Sequence, residues 1–191
     1  MFAELPFLDR FAAAAAAGFR GVEFMFPYDE PASAVAEAAR VAGVEVVLFN
    51  LPAGDWAAGE RGIGALPNRV AEALAGAHLA LDYATALGCP RLHLMAGMTA
   101  GVDPDRGRET LLGNVAATAD LAAPQGIEIL LEPINTRVDI PGYFYDTTAA
   151  ALSVIEADGR ANVALQYDIY HMQIMEGDLA RTIERLSLIH I

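Results

Sequence analysis

Two acidic residues occupy equivalent positions in two apolar segments, and this match constrains the fold more than any other feature of the chain. Glu132 lies five residues after the start of segment 127–135, and Asp168 lies five residues after the start of segment 163–170. Both segments are rich in Ile, Val and Leu, as the strands of a buried parallel sheet are. Side chains at the carboxyl ends of such strands commonly form active sites. The match therefore predicts that both carboxylates lie at one edge of a parallel sheet.

The rest of the chain alternates between strand patterns and helix patterns. Strands are predicted at residues 21–26, 44–52, 91–97, 127–135 and 163–170, and helices at residues 5–17, 31–42, 67–87, 104–123, 147–157 and 178–186. Glycines follow four of these helices, where a glycine commonly ends a helix. No linker or change of composition interrupts the pattern, which predicts a single α/β domain over residues 1–191.

The chain length bears on which α/β architecture is present. A closed (β/α)8 barrel typically needs about 250 residues, whereas this chain has 191 residues and five predicted strands. A doubly wound sheet fits five strands, but it would be expected to carry a Gly-rich phosphate turn after an early strand. The turns after Phe26 and Pro52 lack that motif. Neither architecture fits the chain fully, and we expect that segments are missing at both ends.

Composition excludes several classes of partner. The formal net charge is −13 at pH 7, which disfavours nucleic acid and anionic membranes because surfaces that bind phosphate need an excess of Lys and Arg. No segment reaches the roughly 18 unbroken apolar residues that a membrane span needs. The single cysteine, Cys89, excludes an internal disulfide and a thiolate zinc cluster. These features predict a cytoplasmic protein, and they leave a homo-oligomer open.

Four groups of motifs resemble the hydroxypyruvate isomerase family, a branch of the xylose isomerase-like TIM barrels. They are FNLPAGDWAAGERG at residues 49–62, RLHLMAG at residues 91–97, EPIN with PGYF at residues 132–135 and 141–144, and QYDIYHMQ at residues 166–173. The resemblance implies an incomplete (β/α)8 TIM barrel with about five strands present and the family's first strand and last two strands missing. The last residues do not resemble the family's continuation, so His190 is not interpreted as functional.

The two acids are candidate metal ligands. Alternate side chains of a parallel strand face inward, so the ends of neighbouring strands would bring Glu132 and Asp168 together. Two carboxylates supply half of a site for a hard divalent cation such as Mg²⁺ or Mn²⁺. The alternative is that each acid caps a following turn or pairs with an arginine at the rim. The resemblance favours the metal site, and Glu128, deeper on the same strand as Glu132, is interpreted as structural.

Three further residues are candidates for binding the substrate. His171 follows Asp168 by three residues, and the resemblance places the histidine of this element beside the substrate. His93 could hydrogen-bond a substrate oxygen, and the alternative for both histidines is a role in core packing. Arg61 could bind a substrate carboxylate through two parallel hydrogen bonds, whereas a surface pair with Glu60 is its alternative.

The resemblance implies a reaction and leaves competing functions open. The implied activity is the interconversion of hydroxypyruvate, a small keto acid, with 2-hydroxy-3-oxopropanoate (tartronate semialdehyde) through an enediolate. The family uses two catalytic glutamates, of which Glu132 is present. A 2-oxo-tetronate isomerase or a related keto-acid or ketose epimerase is the nearest alternative. An inactive truncated chain is an alternative of another class, whereas the acidity disfavours a metal-dependent nuclease of the same superfold.

Overall fold

Strands and helices alternate along the chain, as the sequence pattern predicts. The structure is a computed structural model that describes residues 1–186, so His190 lies outside the described residues. The strands are β1 (Gly21–Phe24), β2 (Glu45–Asn50), β3 (Arg91–His93), β4 (Glu128–Leu131) and β5 (Val163–Leu165). The helices are α1 (Asp9–Ala16), α2 (Ala32–Ala42), α3 (Val70–Leu87), α4 (Pro104–Ala122), α5 (Thr148–Asp158), α6 (Ile169–Met175) and α7 (Leu179–Leu186).

The five strands form one sheet in sequence order, and every neighbouring pair is parallel. Leu130 of β4 lies opposite His93 of β3 on one side and Ala164 of β5 on the other. Paired residues of a sheet point to the same face, so the register aligns the carboxyl ends of these three strands. The sheet is open over the described residues, and the expectation of further strands stays a prediction.

The hydrophobic core lies between the sheet and its covering helices. Ile129 and Leu131 of β4 are fully buried, as are Leu111, Val115 and Ala119 of α4. The three α4 residues recur at spacings of four, which places them on one helix face. Of the helices described within residues 1–186, none is long and apolar enough to cross a membrane.

The prediction that the fifth strand extends to residue 170 is wrong. The strand ends at Leu165, and α6 begins at Ile169. The cause is Asp168, whose carboxylate accepts hydrogen bonds from the backbone N–H groups of Tyr170 at 2.7 Å and His171 at 3.4 Å. An aspartate in this position satisfies backbone donors that the first turn of a helix leaves unpaired. Only three residues therefore separate the end of β5 from this helix.

Candidate active site

Three side chains that can bind a metal converge at the carboxyl edge of the sheet. Glu132 directly follows β4, Asp168 precedes α6, and His171 lies in the first turn of α6. One ligand atom from each of the three lies within 4.8 Å of the others. The structure thus brings together both acids and His171, and it also places His93 in contact with Glu132.

The Glu132 carboxylate is buried, with only 6% of the residue exposed. Its Oε2 lies 3.4 Å from Nδ1 of His93, and its Oε1 lies 3.9 Å from Nε2 of His171. Burial raises the pKa of Glu132 well above its usual range, and the negative charges of Asp168 and Glu23 raise this pKa further. A carboxyl group in such surroundings becomes a stronger base, and its negative charge is uncompensated.

The buried ring of His93 packs against the Glu132 carboxylate. The residue ends β3 and is 1% exposed, and neither ring nitrogen has a hydrogen-bond partner among the described residues. Burial lowers the pKa of His93 to about 3, with a smaller contribution from His171. His93 does not line the large cavity beside the acids. The His93 ring therefore contacts Glu132 from the side of β3 and not from the cavity.

A divalent cation fits the two acids on electrostatic grounds. Among the ion pairs of the described residues, neither Glu132 nor Asp168 has an arginine partner. The carboxamide Oε1 of Gln166 is buried beside the same cavity and has no hydrogen-bond partner within residues 1–186. Hard cations such as Mg²⁺ and Mn²⁺ prefer oxygen ligands and relieve the repulsion between neighbouring carboxylates. The donor set is therefore suited to such an ion.

A cavity of about 640 Å³ opens beside these groups. Glu132, Asp168 and His171 form its polar wall, and Phe7, Phe24 and Trp56 are among the aromatic residues that line it. Glu23 also reaches the cavity, and partial burial together with the charge of Asp168 raises its pKa. The cavity combines an apolar wall with a few convergent polar groups, as small-molecule sites do.

Arg61 lies behind Trp56 rather than on the cavity wall. Its guanidinium lies 4.0 Å from the centre of the Trp56 ring, and its Nη1 donates hydrogen bonds to the carbonyl groups of Trp56 and Glu60. The sequence-based alternative of a side-chain pair with Glu60 does not form, because the Glu60 carboxylate binds Arg69 at 2.6 Å. In the described part of the chain only Nη1 of Arg61 forms hydrogen bonds, so Nε and Nη2 could bind a carboxylate, and the role of Arg61 in substrate binding stays a prediction.

A close approach of two backbones fixes the loop that carries Arg61. Gly62 has a φ of 116°, and a Cβ at this position would lie 2.6 Å from the carbonyl oxygen of Met95. Only glycine combines this conformation with so short a distance. The loop is therefore held against the segment that follows β3.

Two residues clarify what sequence reasoning could and could not find. Glu128 pairs with Arg91 at 3.2 Å, as its structural interpretation predicts. Asn135 had no assigned role, yet it is fully buried and its amide nitrogen lies 2.8 Å from Nδ1 of His171. The available signal was its position, since Asn135 follows Glu132 by three residues just as His171 follows Asp168.

Comparisons with known proteins agree with the motifs. The family model of the xylose isomerase-like TIM barrel matches residues 11–191. A 2-oxo-tetronate isomerase from Cupriavidus necator is 48% identical over 97% of this chain and 71% of that protein, and a hydroxypyruvate isomerase from Escherichia coli is 45% identical over 95% of this chain and 70% of that protein. A crystal structure described as a family 2 AP endonuclease from Brucella melitensis matches with a TM-score of 0.95 and 49% identity over 97% of this chain and 72% of that one. The chain therefore belongs to the xylose isomerase-like TIM barrel family.

Proposed function

We propose that this chain is a metal-assisted isomerase of a small 2-keto acid, with hydroxypyruvate as the first candidate substrate and 2-oxo-tetronate as the alternative. The observation that carries the proposal is the convergence of Glu132, Asp168 and His171 on one cavity. Relatives that are 45–48% identical are named as isomerases of these two compounds. Family membership alone would indicate the fold, whereas the side chains indicate the chemistry.

The reaction requires proton movement and no redox partner. In hydroxypyruvate, isomerisation breaks a C–H bond at the hydroxymethyl carbon, forms a C–H bond at the former carbonyl carbon, and moves the hydroxyl proton between the two oxygens. Glu132 serves as the base on one face of the substrate. Its burial supports this role, because a carboxylate whose pKa is raised accepts protons more readily near neutral pH.

Glu132 and Asp168 are the residues that would hold Mg²⁺ or Mn²⁺. Such an ion supplies positive charge that stabilises the negative charge developing on the substrate oxygens. Asp168 is oriented for this role by its hydrogen bonds to the first turn of α6. His171 lines the cavity, where its ring would donate a hydrogen bond to a substrate oxygen. Arg61 lies behind Trp56, which lines the cavity, and would reach past this ring to bind the substrate carboxylate.

The acidity of the cavity disfavours a polyanionic substrate. Four acidic residues and one arginine, Arg10, line it, and the whole chain carries a net charge of −13. A nucleic acid would meet repulsion at this wall rather than the basic surface that phosphate contacts require. A small keto acid brings one negative charge, which a single guanidinium can neutralise.

The test is an assay of the purified chain against a panel of keto acids and ketoses, with Mg²⁺ or Mn²⁺ added and then removed by chelation. We expect turnover of hydroxypyruvate or 2-oxo-tetronate that chelation abolishes. The matched control is Glu128→Gln, which removes an acid from the same strand outside the cavity lining. Turnover that survives chelation would contradict the proposal, and the absence of turnover on every compound would favour the inactive alternative.

A further inference from the structure

The carboxamide of Asn135 has only one orientation that satisfies its neighbours. The residue is fully buried in the loop that follows β4. Its Oδ1 lies 3.0 Å from the backbone nitrogen of Val138 and 3.1 Å from that of Asp139. Backbone N–H groups only donate, so the oxygen must face them. The amide nitrogen is thereby directed to the opposite side.

On that side the amide nitrogen meets two acceptors. Nδ2 of Asn135 lies 2.5 Å from Oδ2 of Asp139 and 2.8 Å from Nδ1 of His171. An amide nitrogen has two hydrogens and no lone pair to offer, so both neighbours must accept. Nδ1 of His171 therefore carries a lone pair, and the hydrogen of the neutral ring resides on Nε2.

We propose that Asn135 is a positioning residue that fixes His171 as the Nε2–H tautomer. Nε2 faces the cavity side, 3.9 Å from Oε1 of Glu132. A protonated ring nitrogen has no lone pair for a metal, so His171 acts as a hydrogen-bond donor although its ring lies within reach of both acids. The catalytic consequence, donation to a substrate oxygen, rests on the proposed function. The tautomer itself depends only on the contacts within the chain.

Asp139 is the competing determinant. Its Oδ2 lies 3.8 Å from Nδ1 of His171, too far for a hydrogen bond but close enough to attract a ring hydrogen if Asn135 did not stand between them. If Asp139 controlled the ring, Nδ1 would carry the hydrogen and Nε2 would be free to bind a metal. The two possibilities therefore differ in which nitrogen is protonated, which is directly measurable.

The experiment is nuclear magnetic resonance of the full chain with ¹⁵N-labelled histidine, without metal or substrate, at mildly alkaline pH. Long-range ¹H–¹⁵N correlations identify the protonated nitrogen of each neutral ring, and loss of one set of signals in His171→Gln assigns His171. We expect Nε2 of His171 to be protonated. Protonation of Nδ1, or a comparable mixture of both forms, would overturn the proposal.

Two variants identify the residue responsible. Asn135→Asp combined with Asp139→Asn exchanges donor and acceptor at constant net charge, and we expect it to move the hydrogen of His171 to Nδ1. Asp139→Asn alone keeps the Asn135 amide and should leave the hydrogen on Nε2. An unchanged tautomer in the double variant, or a changed one in the single variant, would overturn the proposal. If the double variant does not fold, the wild-type and Asp139→Asn spectra still decide. These readings are independent of turnover, so a failed isomerase assay would not affect them.

Discussion

An acid lies beyond the end of each of β4 and β5, yet the two carboxylates differ in position and in surroundings. The register pairs Leu131 with Leu165, so Glu132 directly follows its strand, whereas Asp168 is the third residue after its strand. The expectation of equal positions in the two strands is therefore wrong.

After β4, Glu132 is followed by Pro133, which has no N–H, and the N–H of Ile134 is donated to the carbonyl of Tyr145 at 3.3 Å. After β5, Asp168 receives two backbone N–H hydrogen bonds from the start of α6. One carboxylate is thus buried with an uncompensated charge, and the other is anchored by a helix.

This difference distinguishes a carboxylate suited to proton transfer from one suited to binding a cation. The sequence pattern, an acid near the end of an apolar segment, is the same for both. Burial and the neighbouring acids raise the pKa of Glu132, and a carboxylate with a raised pKa is a stronger base towards a substrate proton. A carboxylate that caps a helix has one oxygen fixed by the backbone and the other available as a ligand. We therefore assign base chemistry to Glu132 and orientation of the cation to both acids, and the predictions below test that division.

The largest expected effect is on catalysis by Glu132→Gln. The substitution keeps the shape of the side chain and removes its basicity, so turnover should fall by roughly 10²- to 10⁴-fold. Steady-state assays on hydroxypyruvate and 2-oxo-tetronate measure the effect. Thermal unfolding should show that the variant is folded, because the change removes an uncompensated buried charge. A rate equal to that of Glu128→Gln would remove Glu132 from the mechanism.

The next largest effect is the loss of folding stability at acidic pH that the buried ring of His93 should cause. Its pKa falls from an ordinary 6.5 to about 3 in the folded chain, so the unfolded chain binds the proton more readily between these values. The free energy of unfolding should therefore decrease as pH falls through this window, by roughly 3 to 5 kcal/mol. Denaturant titrations at several pH values should show a shallower dependence for His93→Leu.

The control for this stability prediction is His78→Gln, since His78 is exposed on α3. Its substitution should leave the pH dependence of unfolding as it is in the wild type. An identical dependence in His93→Leu would mean that the imidazole beside Glu132 is not held neutral by burial.

A smaller effect separates the charge of Asp168 from its capping role. Asp168→Asn keeps a good cap and removes the charge, whereas Asp168→Ala removes both. Asp168→Ala should therefore lower the free energy of unfolding by about 1 kcal/mol more than Asp168→Asn. Chemical denaturation of the two variants in the absence of metal provides the comparison. Equal stabilities would indicate that the hydrogen bonds to Tyr170 and His171 contribute little to α6.

The smallest effect is expected at the edge of the cavity. Arg61→Lys keeps the positive charge but loses the planar group that stacks on Trp56 and can bind both oxygens of a carboxylate. We expect KM for the keto acid to rise roughly tenfold with little change in kcat. Arg40→Lys, an exposed substitution on α2, is the matched control. A KM that does not change would exclude Arg61 from the substrate site.

The sequence predicts the features that depend on local patterns of apolar residues. It does not predict the features that depend on contacts between segments distant in the chain. Alternating strands and helices and the places of Glu132 and Asp168 at the sheet edge follow from apolar runs that the strand period and the helix period distinguish. The start of α6 was missed because Ile169 and Tyr170 continue an apolar and aromatic run, although Asp168 is a common helix cap. The contact between Asn135 and His171 joins the loop after β4 to the first turn of α6, and no propensity or spacing rule predicts the amide orientation that makes it.

The measurement that tests the central claim most directly is Mn²⁺ binding to the chain, followed by electron paramagnetic resonance of the free ion. It depends on the two acids and does not require turnover. We expect Glu132→Gln and Asp168→Asn each to weaken binding by roughly tenfold or more, because each removes a charged oxygen ligand, while Glu128→Gln binds as the wild type does. Equal affinities in all four proteins would contradict a metal site formed jointly by the ends of β4 and β5.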